Sequence, residues 1–248
     1  RRMQIWPAID LRGGRCVRLI QGDYNRETVY GEDPVRMAAQ WAAEGAKFLH
    51  IVDLDGARNG HPVNGEAINA IVRDTNLVCE VGGGVRDETT IEQLLEIGVS
   101  RVIVGTEALK NPDWFGAMCG KYPDTLVLGI DAKEGLVATD GWLEVSDCSA
   151  TALASQFQDM PLAAVVYTDI GTDGMLAGPN FAAIGQMQEV FRGPVIASGG
   201  ICSEGDIRQL AEIPVAGCIV GKALYEGRLS MAAALAAASK SDYIKEKN

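Results

Sequence analysis

The sequence has only two histidines, His50 and His61, so a histidine-rich metal site is not available to it. Its six cysteines (Cys16, Cys79, Cys119, Cys148, Cys202 and Cys218) lie far apart, with no Cys-x-x-Cys pair. Several fall within apolar runs such as Leu77-Val78-Cys79, and they read as buried free thiols suited to a reducing cytosol. No stretch approaches the roughly 18 uninterrupted apolar residues of a membrane span. Arg1-Arg2-Met3 carries charge but no apolar region behind it, because Pro7, Asp10 and Arg12 follow at once. That argues against a secretory signal, makes Met3 a candidate natural start, and leads us to expect a cytoplasmic protein. Basic charge is also scarce. A formal net charge of -11 disfavours nucleic-acid binding, which demands a basic face. Phosphate ligands stay open, since backbone N–H groups bind them locally whatever the global charge.

What is present suits one α/β domain spanning all 248 residues, with 47% hydrophobic and 22% charged residues. Short apolar, β-branched runs recur at residues 5–9, 48–52, 77–81, 102–104, 126–130, 164–167, 195–197 and 218–220. Between them, apolar residues at three- and four-residue spacing predict helices, as in Ile91, Leu94, Leu95 and Ile97, or Ile207, Leu210, Ala211 and Ile213. Asp33-Pro34, Asn111-Pro112 and Ser203 are helix-start signals. Eight strand–helix units at this length predict a closed parallel (β/α)₈ TIM barrel rather than an open doubly wound sheet.

The chain also repeats itself. Asp53-Leu54 and Asp169-Ile170, Asn64 and Asn180, Gly83-Gly84-Val85 and Gly199-Gly200-Ile201, and Val104-Gly105 and Val220-Gly221 all stand 116 residues apart. Ile91/Ile207 and Leu94/Leu210 keep the same offset. Two duplicated half-barrels follow, over about residues 3–124 and 125–238. Asp10 and Asp131 break the offset at 121, which places a length difference in the first βα unit of each half.

Asp10 and Asp131 each end an apolar strand, at opposite sides of an eight-strand ring. Two carboxyls facing across a pocket can divide acid and base roles, although either alone can equally cap a loop. The glycine segments are the second constellation. Gly82-Gly83-Gly84 follows the third run, Gly105-Thr106 the fourth, Ser198-Gly199-Gly200 the seventh and Gly221-Lys222 the eighth. Glycine lets backbone N–H groups approach an anion closely, so two such sites related by duplication predict a ligand with a phosphate at each end. Thr168 and Asp169 lead into Gly171-Thr172-Asp173-Gly174, and are either substrate-binding or loop-capping. Asp53 and Asp55 share that ambiguity. Arg18 and Arg86 are candidate phosphate partners, and Trp142 is a candidate stacking residue. His50 reads as a satisfied barrel residue rather than a catalyst.

Pro7-Ala8-Ile9-Asp10-Leu11, Gln21-Gly22-Asp23-Tyr24, Val81-Gly82-Gly83-Gly84-Val85-Arg86, Thr168-Asp169-Ile170 with Asp173-Gly174, and Ala197-Ser198-Gly199-Gly200-Ile201 together resemble one family. It is the phosphoribosylformimino-5-aminoimidazole carboxamide ribotide isomerases of histidine biosynthesis. The likeness runs from about residue 3 to about 228, and the tail from about Ser239 adds nothing to it. It implies an Amadori rearrangement of a bis-phosphorylated ribotide, an aminoaldose becoming an aminoketose. Asp131 would be the acid that opens the ribose ring, Asp10 the base that takes the C2 proton, and Thr168 an aid to the acid. Gly174, Ser198, Lys222 and the glycines above would bind phosphate, and Trp142 would pack on the substrate. No metal or organic cofactor is implied, because the substrate's own imine serves as electron sink.

Three rivals remain. The sister cyclase of the pathway shares the duplicated barrel and aspartate pair, but its first strand typically reads Pro-Cys-Leu-Asp and leads to a lysine rather than Arg18. A dual isomerase that also takes phosphoribosylanthranilate tends to carry arginine where this chain has Asp140. A noncatalytic phosphosugar-binding barrel would tolerate loss of one aspartate, and both are present. The chain is expected to act as a monomer, with no nucleic-acid or membrane partner.

Overall fold

The computed structural model describes residues 2–239. The chain begins with strand β1 (Gln4–Arg12) and an antiparallel hairpin of β2 (Arg15–Ile20) and β3 (Asp23–Gly31). Next come β4 (Phe48–Asp53), β5 (Val78–Gly82), β6 (Arg101–Val104) and β7 (Leu126–Lys133). A second antiparallel ribbon, β8 (Leu136–Thr139) and β9 (Glu144–Ser149), precedes β10 (Ala164–Asp169), β11 (Val195–Ser198) and β12 (Gly217–Val220). The eight parallel strands pair in the ring β1-β4-β5-β6-β7-β10-β11-β12 and close where Gln4 meets Gly217. This is a single-domain (β/α)₈ barrel, and every one of the eight expected runs lies in it, within a residue at its start.

The ribbons are the departure. β1 and β7 run past the barrel rim, reverse at Gly13-Gly14 and at Glu134-Gly135, and return as β2 and β8. All four turn residues have φ between 51° and 81°, the geometry of a tight two-residue hairpin. The first ribbon is longer, with strands of six and nine residues against four and six. The broken offset of Asp10 and Asp131 falls in these two units.

Alternation along each strand makes two cores. Trp6, Ala8, Ile103, Val127, Ala164, Val166, Ile196 and Ile219 fill the barrel interior. The intervening positions, such as Ile9, Ile51, Val165 and Tyr167, pack outward against the helices. Ile91, Leu94, Ile207 and Leu210 are all buried there, so the repeated helix face is a real core face. Asp33 caps its helix through Arg36 N, and Ser203 forms a capping box with Asp206. Asn111 differs. Its side chain makes no cap, and Pro112 alone marks that helix start. Among the described residues, no helix is long and apolar enough to cross a membrane.

Candidate active site

Strand parity decides which groups reach the barrel mouth. Asp10 lies two residues beyond Ala8, Asp131 four beyond Val127 and Thr168 two beyond Val166, so all three continue the inward face. They line one cavity of about 190 Å³ at the C-terminal ends of the strands. Asp169 lies one residue off that face and does not line it. Its carboxylate accepts from Thr172 N (3.2 Å) and Asn180 Nδ2 (2.7 Å). The counterpart Asp53 accepts from Gly56 N, Val63 N, Asn64 N and Asn64 Nδ2 at 2.7–2.8 Å. Of the two readings left open for Asp169, substrate binding and loop capping, these bonds match the loop brace.

The two strand-end carboxyls sit in different company. β2 folds back beside β1, pairing Val17 with Asp10 and bringing Arg18 over the cavity. Arg18 donates to Asp10 at 2.8 Å and stands 3.6 Å from Asp173, with all three groups sheltered from solvent. Asp131 has no such cation. It accepts from Trp142 Nε1 at 2.7 Å, and Thr168 lies opposite it in register on β10. Burial pushes the Asp131 carboxyl above the usual range, against the indole N–H of Trp142 and the neighbouring Thr168 and His50. Asp173 is raised to about 6 by burial, opposed by Arg18 and reinforced by Asp10 and Asp131.

The glycine loops stand at the two ends of this arrangement. Gly83, Gly84, Gly105, Thr106 and Arg86 line the main cavity. Gly174, Gly199, Gly200, Gly221 and Lys222 line a smaller adjoining one, which shares Ser198, Arg18 and Asp173 with the first. Gly83 and Gly199 have φ of 105° and 100°, and a Cβ on either would lie 2.2 or 2.7 Å from the carbonyl of Asp53 or Asp169. Glycine is thus required here for close backbone packing. Arg86 is not free in this state. It donates to Asp140 at 2.8 Å, Lys110 does so at 2.7 Å, and Asp140 N donates to Thr106 Oγ1. Burial works against the Asp140 charge, but hydrogen bonds from Lys110, Arg86 and Thr139 outweigh it and hold the carboxyl down at about 2.

Trp142 closes the cavity from the second ribbon. Its ring lies so near Gly22 that a Cβ there would be 2.1 Å from it, so the two ribbon tips meet. Asp140, Gly141 and Trp142 all have positive φ, which turns the indole inward. Among the cavity-lining groups, Asp173 was assigned no role from the sequence, and His50 only that of a barrel residue. Asp173 had a usable signal: the position 116 residues earlier is Ala57, so its carboxyl is not part of the duplicated frame.

The histidine biosynthesis protein family matches residues 4–230. A protein of Rhodopirellula baltica named 1-(5-phosphoribosyl)-5-((5-phosphoribosylamino)methylideneamino)imidazole-4-carboxamide isomerase is 52% identical, over 93% of this chain and 92% of its own. Proteins of the same name from a Synechocystis strain and from Chloroflexus aurantiacus are 50% and 49% identical, each over 95% of this chain and over 93% and 98% of theirs. A duplicated barrel with paired strand-end carboxyls between two glycine cradles, matched over nearly its whole length, places this chain in the histidine biosynthesis protein family.

Proposed function

We propose that the chain isomerises the bis-phosphorylated ribotide named for its relatives, converting an aminoaldose to an aminoketose by aspartate acid–base catalysis. The observation that carries the reading is the pair Asp10 and Asp131, on one cavity but in opposite electrostatic surroundings. Asp131, pushed up by burial, is suited to hold a proton. It gives that proton to the ribose ring oxygen, the C1–O bond breaks, and the glycosyl nitrogen's lone pair closes a protonated imine. Asp10, ion-paired with Arg18, is suited to accept the C2 proton. The C–H electrons then neutralise the imine as an enolamine, which tautomerises to the ketone. Thr168, beside Asp131 in register and on the same cavity, is placed to keep that carboxyl towards the ring. Asp173, poised at about 6 and 3.6 Å from Arg18, is a third carboxyl able to relay a proton on the same side.

The glycine cradles, with Arg86 at one end and Lys222 at the other, are suited to the two phosphates and would stretch the ribose between the carboxyls. Every group invoked belongs to one chain, so the reading requires no second subunit. Purified protein given the formimino ribotide, with absorbance followed, tests it. Turnover of that substrate, with phosphoribosylanthranilate run in parallel and left unconverted, is the expected result. Conversion of phosphoribosylanthranilate at a comparable rate would replace it with a dual-substrate enzyme.

A further inference from the structure

Beneath Asp10 and Asp131 the barrel interior is largely apolar. Ala8, Ile103, Val166, Ile196 and Ile219 occupy it, and so do His50 and Glu80, in register on β4 and β5. His50 Nδ1 is 2.7 Å from Glu80 Oε1. Glu80 is wholly buried, and its Oε2 has no hydrogen-bond partner. Arg101, opposite Glu80 in register, stacks over Trp6 instead of pairing with it. A polar pair with an orphan oxygen in an apolar layer works against stability, and packed hydrophobic residues commonly replace such pairs without loss.

The molecule carries its own control. At the positions 116 residues later, the second half-barrel places Val166 and Ile196, both buried in the interior core. The fold therefore packs this layer without a polar pair, and the first half keeps His50 and Glu80 for another reason. His50 lines the cavity, together with Asp131 and Asp173. A carboxylate offers only acceptors, so a ring nitrogen bonded to it carries hydrogen and the other nitrogen is left for the cavity.

We propose that Glu80 is a positioning residue that fixes His50 with Nδ1–H towards itself and Nε2 towards a sugar hydroxyl of the bound substrate. This rests on the ribotide reading above. His50 is the substrate-contacting group and meets the ribose from the cavity floor, while the cradles hold its ends. Glu80 acts only through it.

The double variant His50→Val with Glu80→Ile copies the second half's filling. Expected are a melting temperature at or above wild type and a kcat/KM for the ribotide at least tenfold lower. Glu80→Ile alone falls similarly, and Glu80→Gln, which keeps an acceptor for Nδ1, recovers most of that loss. Nitrogen-15 NMR in a His61→Asn background reads His50 alone, since the chain has two histidines. It should report hydrogen on Nδ1, retained in Glu80→Gln and redistributed in Glu80→Ile, with the Nε2 signal shifting on addition of ribose 5-phosphate. A double variant as active as wild type would overturn the proposal. So would hydrogen only on Nε2 in wild type, or an Nε2 signal indifferent to the sugar phosphate. Wild-type protein inert towards the ribotide would strike the proposed function instead, leaving the NMR arms to judge this inference.

Discussion

The two halves of the barrel share a frame and differ in their chemistry. Asp53 and Asp169, Asn64 and Asn180, Gly83 and Gly199, and Gly84 and Gly200 stand 116 residues apart and do the same work, bracing one βα loop against the next strand. The cavity positions are unlike. Val52 answers to Thr168, His50 to Val166, Ala57 to Asp173 and Arg86 to Cys202 at the same offset. Asp10 and Asp131 are the instructive pair, because the residue is repeated while its partner is not. The position of Arg18 on β2 corresponds to Thr139 on β8, since Val17 and Ala138 are the residues paired with the two aspartates. One carboxyl meets a buried guanidinium, and the other meets an indole N–H. Symmetry supplied the pair, and unequal ribbons gave its two members different partners.

The sharpest way to break this comparison is at the carboxyls themselves. Asp10→Asn and Asp131→Asn should each lower kcat by about 10³-fold or more while leaving ribotide affinity largely intact, within the usual reach of acid–base catalysis. Steady-state kinetics with equilibrium binding check this, and near-full activity in either variant would remove the assignment. The frame responds differently. Asp53→Ala strips the acceptor from four hydrogen bonds and should cost roughly 3 kcal/mol, whereas Asp169→Ala strips fewer and should cost roughly half as much. Denaturant unfolding would measure both, and equal losses would deny that the first brace is the stronger.

Asp173 gives a smaller effect with a definite sign. Its pKa in the folded protein, about 6, lies above the ordinary 3.8. Between those values the folded chain holds a proton that the unfolded chain has released, so this group's contribution to stability falls as pH rises through that window. Asp173→Asn should therefore gain roughly 1–2 kcal/mol at pH 7, lose that advantage near pH 4, and turn over more slowly. Melting temperatures across pH test it, and a pH-independent difference would contradict it. Least in size is Asp140→Asn, which frees Arg86 and Lys110 from a shared carboxylate. A change in ribotide KM of less than about tenfold is expected with kcat little altered, because exposed and half-exposed ion pairs are individually weak.

The eight strands were legible because each is a short β-branched run, and the repeat because duplication leaves a constant offset through loops and helices. Asp10 and Asp131 were legible as the residues ending two such runs. The ribbons were not recognised, since their residues lie where a barrel ordinarily has loops. Asp169 stayed ambiguous in sequence because it follows Thr168 directly, and the pleat turns neighbours on a strand to opposite sides. His50 was read as a satisfied barrel residue, and it is one, yet it also reaches the cavity.

By itself, then, the order of residues determined the ring, its twofold repeat and the presence of two acidic groups at its mouth, since hydrophobic periodicity and repeated spacing are properties of a line. The partners of those groups were decided only in three dimensions. Arg86 meets Asp140 across 54 positions, and Trp142 meets Asp131 only after the ribbon turns back. Which carboxyl keeps its proton depends on burial and on charges brought near by chain reversal, and neither quantity exists until the barrel has closed.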